Sequence, residues 1–455
     1  MSSSQPPANR GKPQALGRAR AHAWLQRCGV PAAVFCLAVG MRLVFAWVLL
    51  EWAATTFNFG SSPGRDGYED IARCLADGEG YRFQPDCGET MFRLPGYPMF
   101  LCGLWWLFGR ALWVAQVSHA MLAGGTALLI HQMGHRYFSR AAGVLASLAF
   151  AIWPIDWVVD ARYCTEPLYV FLVAMTIAVA LRLTECPRYT WAALLGLTMG
   201  IGSLVREAHV VLIAVLALAI SLLPWGKAGR LRYLSVMSVA VLIAALALLP
   251  WVVRGYSLTG TLVFPTSSGG WNLYATACLS SEGAYKGDLR DLVSKKIAPR
   301  HQAVIAAEGI QELGGSFLSS DYWTFKSIDD EVRADTLLRK KTMEAFRENP
   351  GLFLRQIARG ALAVWFGGWT ERMGTVAKLL NAPVLLLGMV GFLAAVRRGQ
   401  KEAWLLLVAV IVLNFVYSLG ASQVRYSLPT MPAVLLLAAR GFTALTALHK
   451  PTRAG

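Results

Sequence analysis

The chain has 455 residues, of which 55% are hydrophobic and only 15% are charged. In soluble domains about a quarter of all residues are charged, so this composition excludes an ordinary soluble protein. The net charge of +16 would suit a nucleic-acid-binding protein if the chain were soluble, but in a membrane protein Lys and Arg collect in cytoplasmic loops. We therefore expect a lipid bilayer, and no nucleic acid, as its surroundings.

Apolar stretches of about 20 residues recur along the chain, and this is the length at which an α-helix crosses a bilayer. The sequence therefore predicts an all-α polytopic membrane protein rather than a β-barrel, whose strands would alternate at every second residue. Ten spans are predicted at 31–50, 111–131, 141–158, 167–183, 191–205, 208–224, 233–253, 376–396, 403–420 and 427–446. The segments 94–109 and 352–368 are shorter or interrupted by Arg, and either span or are re-entrant, so the total is about 10–12 spans.

The ends of the chain predict its domain organisation. Residues 1–30 form a basic tail, and the apolar stretch that follows lacks a small-residue cleavage site, which favours a retained span over a signal peptide. Residues 31–446 then form one transmembrane domain, and residues 447–455 form a second short tail. We expect this domain to lie in the cell inner (plasma) membrane.

The distribution of basic residues predicts the orientation of the spans. If the two short segments do not span, the loops around Arg136, Lys227 and Arg397 all face the cytoplasm together with both tails. Two long loops, 51–110 and 254–375, then face the periplasm or the cell exterior. Most of the acidic residues lie on that side, so polar chemistry is expected there.

The stretch "GRDGYEDIARCLADGEGYRF" (64–83) predicts a helix at the membrane surface in the first long loop. Asp66 and Asp70 are four residues apart and would share a face of that helix, and Glu69 borders the same face. Beside hydrocarbon, desolvation would raise the pKa of such a carboxylate and make it suitable as a general base. A solvated face of a surface helix is the alternative interpretation.

Three arginines at the predicted outer ends of spans run against the overall distribution of charge. Arg93 precedes the Pro-rich bend "LPGYP", while Arg254 and Arg425 each lie at the end of a predicted span. A guanidinium at such a place can bind a phosphate or a carboxylate through its planar set of donors. An arginine that reaches ordinary lipid headgroups is the alternative.

Other polar residues near span ends are further candidates. Glu166 directly precedes a proline at the mouth of a span, where it either interacts with the helix N-terminus or binds a hydroxylated substrate. Trp271 and Asn272 suit sugar binding, although an interfacial Trp beside a turn fits equally well. Arg206, next to Glu207 between two predicted spans, either forms a structural ion pair with that residue or binds a phosphate or another carboxylate.

The cysteines and histidines show no spacing typical of a metal site. Cys74 and Cys87 lie on the predicted outer side and either form a disulfide or remain two free thiols.

Residues 327–350 predict an exposed helix, because acidic residues come early and basic residues late, in accord with the helix dipole. No inverted repeat is present, which argues against a transporter.

Read in chain order, these motifs resemble those of bacterial membrane glycosyltransferases of the GT-C superfamily. The series is "DGYEDIARCLADGEGY", "RLPGYPMFL", "TEPLY", "PWVVRGY", "GGWNLY" and "RYSLPTMP". The branch most similar contains the protein O-mannosyltransferases and the lipid A aminoarabinose transferase. The resemblance implies a GT-C fold with juxtamembrane helices in the first long loop. It also implies sugar transfer from a polyprenyl-phosphate carrier to an acceptor on the outer face.

The resemblance also implies roles for individual residues. Asp66 matches the family's catalytic acid, with Glu69, Asp70 and Glu166 as substitutes or helpers. Contacts with the carrier phosphate are implied for Arg93, Arg254 and Arg425, and contacts with the sugar or acceptor for Tyr97, Trp271, Asn272 and Tyr426.

The implied reaction is an inverting displacement in which a carboxylate acts as the base and arginines stabilise the phosphate. No obligatory cofactor is expected because arginines can replace a metal, although a divalent cation is left open. A flippase for polyprenyl-linked glycans and a polymerase or ligase that uses polyprenyl-diphosphate glycans are the alternatives.

Overall fold

The structure, a computed structural model, describes residues 29–57, 66–222, 229–281, 298–310, 324–368, 370–420 and 422–448. Most of the predicted N-terminal tail and residues 449–455 lie outside this range. Within it, the chain folds into α-helices, which confirms the predicted all-α fold class.

The helices follow one another in this order: α1 (Val30–Val44), α2 (Leu50–Phe57), α3 (Tyr68–Ala76), α4 (Gly96–Phe108), α5 (Leu112–Tyr137), α6 (Arg140–Ala151), α7 (Pro154–Asp160), α8 (Glu166–Glu185), α9 (Tyr189–Val205), α10 (Ala208–Leu222), α11 (Arg230–Thr259), α12 (Gly269–Ser281), α13 (Ala298–Ala306), α14 (Ile328–Glu348), α15 (Pro350–Phe366), α16 (Glu371–Arg397), α17 (Glu402–Ser418) and α18 (Met431–Leu448). A π-helical turn, Phe45–Leu49, joins α1 to α2. A 3-10 helix, Val424–Thr430, leads into α18.

Among the described residues, six helical segments are long and apolar enough to cross a membrane, or seven if the bent pair α6 and α7 forms one span. The six are Val30–Thr56, Leu112–Tyr137, Glu166–Glu185, Arg230–Thr259, Glu371–Arg397 and Val424–Ala447. Three further predicted spans correspond to the shorter apolar helices α9, α10 and α17. The chain is thus a multi-pass membrane protein, and the total of ten to twelve spans stays a prediction.

The two segments left open in the sequence are both helical. The first is α4, whose 13 residues extend about 20 Å, well short of a bilayer core about 30 Å thick. The second is α15, with 17 residues, whose buried Gln356 donates a hydrogen bond from Nε2 to the carbonyl oxygen of Leu419 at 2.7 Å. A helix as short as α4 favours the re-entrant interpretation of the first segment.

Small residues allow the apolar helices to approach closely. A Cβ added at Gly134 of α5 would lie 2.4 Å from the Cα of Gly143 in α6. A Cβ added at Gly391 of α16 would lie 1.8 Å from the carbonyl oxygen of Leu437 in α18. Close backbone packing of this kind is how helices associate in lipid, where burial from water supplies no driving force.

The two long loops contain helices of their own. The first long loop contains α3 and α4, and the second contains α12 to α15. The helix predicted at 327–350 is present as α14, and the hydroxyl of Ser327 caps it by accepting a hydrogen bond from the Asp330 amide at 3.2 Å. Its predicted exposure is only partly right, because Glu331 and Asp335 are buried against other parts of the loops.

Candidate active site

Asp66 lies just before α3 rather than on it. Gly67 has φ +77°, a left-handed conformation that few residues other than glycine adopt, and α3 begins only at Tyr68. The prediction that Asp66 and Asp70 share a helical face is therefore wrong. The turn at Gly67 sends the Asp66 side chain into the protein, where the residue is only 5% exposed.

The carboxylate of Asp66 forms an ion pair with Arg425, which is 359 positions later in the sequence. Nη1 of Arg425 donates to Oδ2 at 2.9 Å, and Nη2 is 3.4 Å from Oδ1. Arg425 lies in the 3-10 helix before α18. The pair thus joins the first long loop to the start of the last span, so the two residues form one site.

A second ion pair lies directly beside the first. Nη2 of Arg206 donates to Oε1 of Glu166 at 2.6 Å and to the hydroxyl of Thr165 at 2.7 Å. Nε of Arg425 is 3.6 Å from the same Glu166 oxygen. The four charged groups therefore alternate in sign as Asp66, Arg425, Glu166 and Arg206. The predicted pair of Arg206 with Glu207 is wrong, because Arg206 pairs with Glu166 instead.

Tyrosine rings enclose the two arginines of this cluster. Tyr417 and Tyr426 stack with their ring centroids 5.0 Å apart and their planes 8° apart. The guanidinium carbon of Arg206 lies 5.3 Å from the Tyr426 centroid and 5.8 Å from that of Tyr169. Arg425 lies 5.2 Å from the Tyr426 centroid. Cation–π contacts of this kind hold a guanidinium in place and shield it from water.

Arg93 completes the cluster from the first long loop. Its Nε donates to the backbone carbonyl oxygen of Asp66 at 3.0 Å, and its guanidinium lies over the ring of Tyr68 at 5.2 Å. Tyr97 lies beneath as a fully buried ring, edge-on to Tyr68 and hydrogen-bonded through its hydroxyl to Nε2 of His119 at 3.1 Å. Tyr97 thus supports Tyr68 and is not exposed to a substrate.

We define the ionic cluster as Asp66, Arg93, Glu166, Arg206 and Arg425. Three guanidinium groups stand against two carboxylates, which leaves one positive charge. Buried ionised groups are stable only when they are paired or hydrogen-bonded. A single anionic group, such as a phosphate diester, would balance the remaining charge.

The arginines hold Asp66 in its ionised form. Burial alone would raise the pKa of Asp66, but the charges of Arg425 and Arg93, together with the hydrogen bond from Arg425, lower it from 3.8 to about 2. The sequence-based expectation of a raised pKa is therefore wrong for this state of the protein. Desolvation is present as predicted, but the neighbouring guanidinium groups outweigh it.

Two further candidate acids of the first long loop have a partner on their own helix. Glu69 and Asp70 are both on α3 and both pair with Arg73 of the same helix, at 3.0 Å and 3.5 Å. Such pairs within one exposed helix contribute only tenths of a kcal/mol to stability, about 0.3–0.5. The geometry therefore separates these two acids from Arg93 and Arg425.

Arg254 binds a carboxylate that is not part of the ionic cluster. Its Nη2 pairs with Glu89 at 2.8 Å, and its Nη1 donates to the Thr90 carbonyl oxygen at 3.1 Å. Its guanidinium also lies 5.1 Å from the ring centroid of Tyr81. Arg254 thus braces the first long loop, and the structure does not bring it together with Asp66.

Trp271 and Asn272 lie in α12 of the second long loop, in a separate group. The Trp271 ring stacks on His301, with centroids 5.4 Å apart. The backbone N–H of Asn272 donates to the Ser268 carbonyl oxygen at 3.1 Å. Trp271 therefore packs within the loop, and neither residue contacts the ionic cluster.

Cys74 and Cys87 are free and buried, so the structure shows two thiols and no disulfide between them. Among the described residues, no group of three or more His, Cys, Asp or Glu side chains is arranged to hold a metal ion.

Arg206 and Tyr417 are members of the site that the sequence did not assign. The signal for Arg206 was its place in a break between two apolar helices, α9 and α10.

The same fold occurs in an archaeal oligosaccharyltransferase. AglB from Archaeoglobus fulgidus, in complex with an inhibitory peptide and a dolichol-phosphate, matches with a TM-score of 0.55 at 15% identity, over 93% of this chain and 51% of that chain. A complex of the A. fulgidus oligosaccharyltransferase with Zn and sulfate matches with a TM-score of 0.51 at 16% identity, over 92% and 51%. This chain spans about half the length of those proteins, and at such identity the likeness establishes the fold alone.

ArnT from Cupriavidus metallidurans, bound to undecaprenyl phosphate, matches more weakly, with a TM-score of 0.38 at 17% identity over 89% of this chain and 79% of that chain. That score is too low to support an inference. Compared by sequence, the chain matches no family model and no curated protein at a significant level. The chain therefore has the GT-C fold, as its ordered motifs predict.

Proposed function

We propose that this protein is an integral-membrane glycosyltransferase that takes a hexose or pentose from a polyprenyl-phosphate carrier. The observation that carries the proposal is the buried pair of Asp66 with Arg425, surrounded by further guanidinium groups. This pair places a carboxylate next to an arginine, a side chain that commonly binds phosphate, within a bundle of apolar helices. The dolichol-phosphate bound to AglB, which has the same fold, is a carrier of this class.

In this proposal the site lies on the periplasmic or extracellular side of the inner membrane, with both ends of the chain in the cytoplasm. The apolar helices accommodate the polyprenyl tail, and the carrier phosphate binds Arg425 and Arg93. Arginine suits this role because its planar donors form two parallel hydrogen bonds with phosphate oxygens. Positive charge there also stabilises the phosphate as it leaves the sugar.

Phosphate binding would change the state of Asp66. In the structure both oxygens of its carboxylate face Arg425, so Asp66 is a weak base. A phosphate that draws Arg425 away removes the main cause of the low pKa, while burial continues to raise it. Asp66 then becomes a stronger base, which accepts the proton of the acceptor hydroxyl as that oxygen attacks the anomeric carbon and the phosphate departs. One displacement of this kind inverts the anomeric centre.

The charge of the ionic cluster favours a phosphate diester over a diphosphate donor. The cluster carries one net positive charge, which matches the single negative charge of a polyprenyl-phosphate sugar. A polyprenyl-diphosphate glycan would bring a second negative charge close to Asp66 and Glu166. This charge count supports the transferase over a polymerase or ligase that uses diphosphate donors.

In this structure a divalent cation would have to displace Arg425 to bind between the two carboxylates of this cluster. The Arg425 guanidinium occupies that place, with Nη1 2.9 Å from Asp66 and Nε 3.6 Å from Glu166. Glu166 is further bound by Arg206. Zn is present in one complex of the A. fulgidus oligosaccharyltransferase, but the proposed reaction includes no step through a metal.

The dependence of donor use on pH follows from the low pKa of Asp66. The carboxylate is ionised above about pH 2, so kcat/KM, which reports groups of the free enzyme, shows no acid limb from Asp66 between about pH 5 and 8. The value of kcat reports the enzyme–substrate complex. As the pH is lowered, kcat decreases at a higher pH than kcat/KM does, because Arg425 has moved from Asp66 to the phosphate. Initial rates of the wild type measured across this range test both curves, and an acid limb in its kcat/KM between about pH 5 and 8 would contradict the account.

The same pKa also affects stability. The folded value lies below the unfolded value of about 3.9, so the Asp66–Arg425 pair stabilises the folded protein at neutral pH. That contribution is lost as the pH falls through about 2.

Purified protein in lipid nanodiscs, given a radiolabelled polyprenyl-phosphate sugar and envelope extract, tests the proposed function. We expect label to move from the carrier to an acceptor, which mass spectrometry of envelope glycans with and without the gene then identifies. A protein that moves labelled lipid between leaflets and forms no glycosidic bond would be a flippase.

A further inference from the structure

Glu331 of α14 is a buried carboxylate that holds the first long loop. The residue is 3% exposed, and its oxygens accept hydrogen bonds from the Thr90 hydroxyl at 2.6 Å and from the Met91 amide at 2.8 Å. The hydroxyl of Ser267, at the start of the α12 region, donates to the same carboxylate. One side chain thus connects three segments that are far apart in sequence.

Arg254 also holds the same two residues of the first long loop. Its Nη1 donates to the Thr90 carbonyl oxygen and lies 3.1 Å from the sulfur of Met91. Its Nη2 pairs with Glu89 at 2.8 Å. Residues 90–91 are therefore fixed through a hydroxyl, an amide and a carbonyl, between an anion on α14 and a cation on α11.

Backbone contacts reinforce this connection. The Gly88 amide donates to the Phe325 carbonyl oxygen at 3.0 Å, and the Ser267 amide donates to the Met91 carbonyl oxygen at 3.1 Å. A Cβ added at Gly88 would lie 2.7 Å from the carbonyl oxygen of Lys326. The two long loops therefore pack directly against each other, backbone to backbone.

The fixed segment leads straight into the ionic cluster. The Phe92 amide donates to the Thr90 hydroxyl at 3.0 Å, and Arg93 follows immediately. The Arg93 carbonyl oxygen accepts from the Tyr81 hydroxyl at 3.0 Å, and its side chain donates to the backbone of Asp66. The position of Arg93 relative to Asp66 thus depends on how residues 90–91 are held.

We propose that Glu331 is a positioning residue, which acts through Thr90 and Met91 to place Arg93 against the carrier phosphate. This inference rests on the proposed function, since it assumes that Arg93 binds that phosphate. It assigns to the second long loop the task of shaping the donor site, although α14 contributes no side chain to the ionic cluster.

Binding of undecaprenyl phosphate to the purified protein in nanodiscs tests this inference without an acceptor. The variants are Glu331→Ala, Glu331→Gln, Arg93→Gln and the double variant Arg93→Gln/Glu331→Ala. Glu344→Ala is the matched control, because Glu344 lies on the same helix and its nearest basic partner, Lys341, is 3.8 Å away. The thermal midpoint of each variant reports on folding.

We expect Glu331→Ala to weaken carrier binding about tenfold, and Glu331→Gln, which keeps the shape and one acceptor oxygen, to weaken it about threefold. Glu344→Ala leaves binding unchanged. Because Glu331 acts through Arg93, the double variant binds no more weakly than Arg93→Gln alone. A purely structural role would instead add its effect on binding to that of Arg93→Gln.

Two kinds of result would overturn the role of Glu331, and only one of them would also count against the proposed function. If the losses from Arg93→Gln and Glu331→Ala add, or if neither Glu331 variant weakens binding, Glu331 does not act through Arg93 and the proposed function stands. If Arg93→Gln binds the carrier as tightly as the wild type, the phosphate role of Arg93 in the proposed function fails as well. If Glu331→Ala does not fold, the same comparisons are made with Glu331→Gln.

Discussion

Asp66→Asn abolishes sugar transfer while the protein binds undecaprenyl phosphate at least as tightly as before. Removal of the general base is expected to lower kcat by about 10²–10⁴-fold. The amide carries no charge, so Arg425 is no longer neutralised and is available to the phosphate. Carrier affinity should therefore rise by about threefold to tenfold, because Arg425 no longer has to leave a carboxylate.

Turnover with a radiolabelled polyprenyl-phosphate sugar and binding of the unlabelled carrier measure these two effects separately. Glu69→Gln is the control, since Glu69 pairs with Arg73 on α3 and lies outside the ionic cluster. Unchanged turnover in Asp66→Asn, or loss of turnover in Glu69→Gln, would assign the base to another residue.

Arg425→Gln has the second large effect, and it acts on both binding and stability. Loss of a charge-assisted contact with the phosphate should weaken carrier binding by about 10–100-fold. Asp66 is then left buried without its partner, and removal of one member of a buried ion pair costs about 3–5 kcal/mol of unfolding free energy.

The double variant Asp66→Asn/Arg425→Gln separates these two effects. With both charges removed, no buried charge lacks a partner, so the thermal midpoint should recover most of the loss seen with Arg425→Gln. Carrier binding should stay weak, because the guanidinium is still absent. A double variant no more stable than Arg425→Gln would mean that the pair does not hold the loop to the last span.

The fold could be predicted from the sequence because bilayer-length apolar segments recur and the motifs keep the order of the GT-C family. The meeting of Asp66 with Arg425 followed only from that resemblance, since composition and periodicity carry no information about contacts across 359 positions. The start of α3 was predicted too early, although the glycine at position 67 was visible. Its left-handed conformation is what removes Asp66 from the helix.

The pairing of other charges could not be predicted from neighbours in the sequence. Arg206 and Glu207 are adjacent, and adjacent side chains do not face each other along a helix or an extended segment. Glu331 looked like an ordinary acid in the first turn of an exposed helix, but docking of the loops buries it. Arg254 was expected at the phosphate, but Glu89 of the first long loop binds it.

A cryo-electron-microscopy structure of the protein with undecaprenyl phosphate in a nanodisc tests the central claim most directly. We expect the phosphate within hydrogen-bonding distance of the Arg425 and Arg93 guanidinium groups, with Arg425 moved away from the Asp66 carboxylate. A phosphate bound elsewhere, with the Asp66–Arg425 contact still at 2.9 Å, would contradict it.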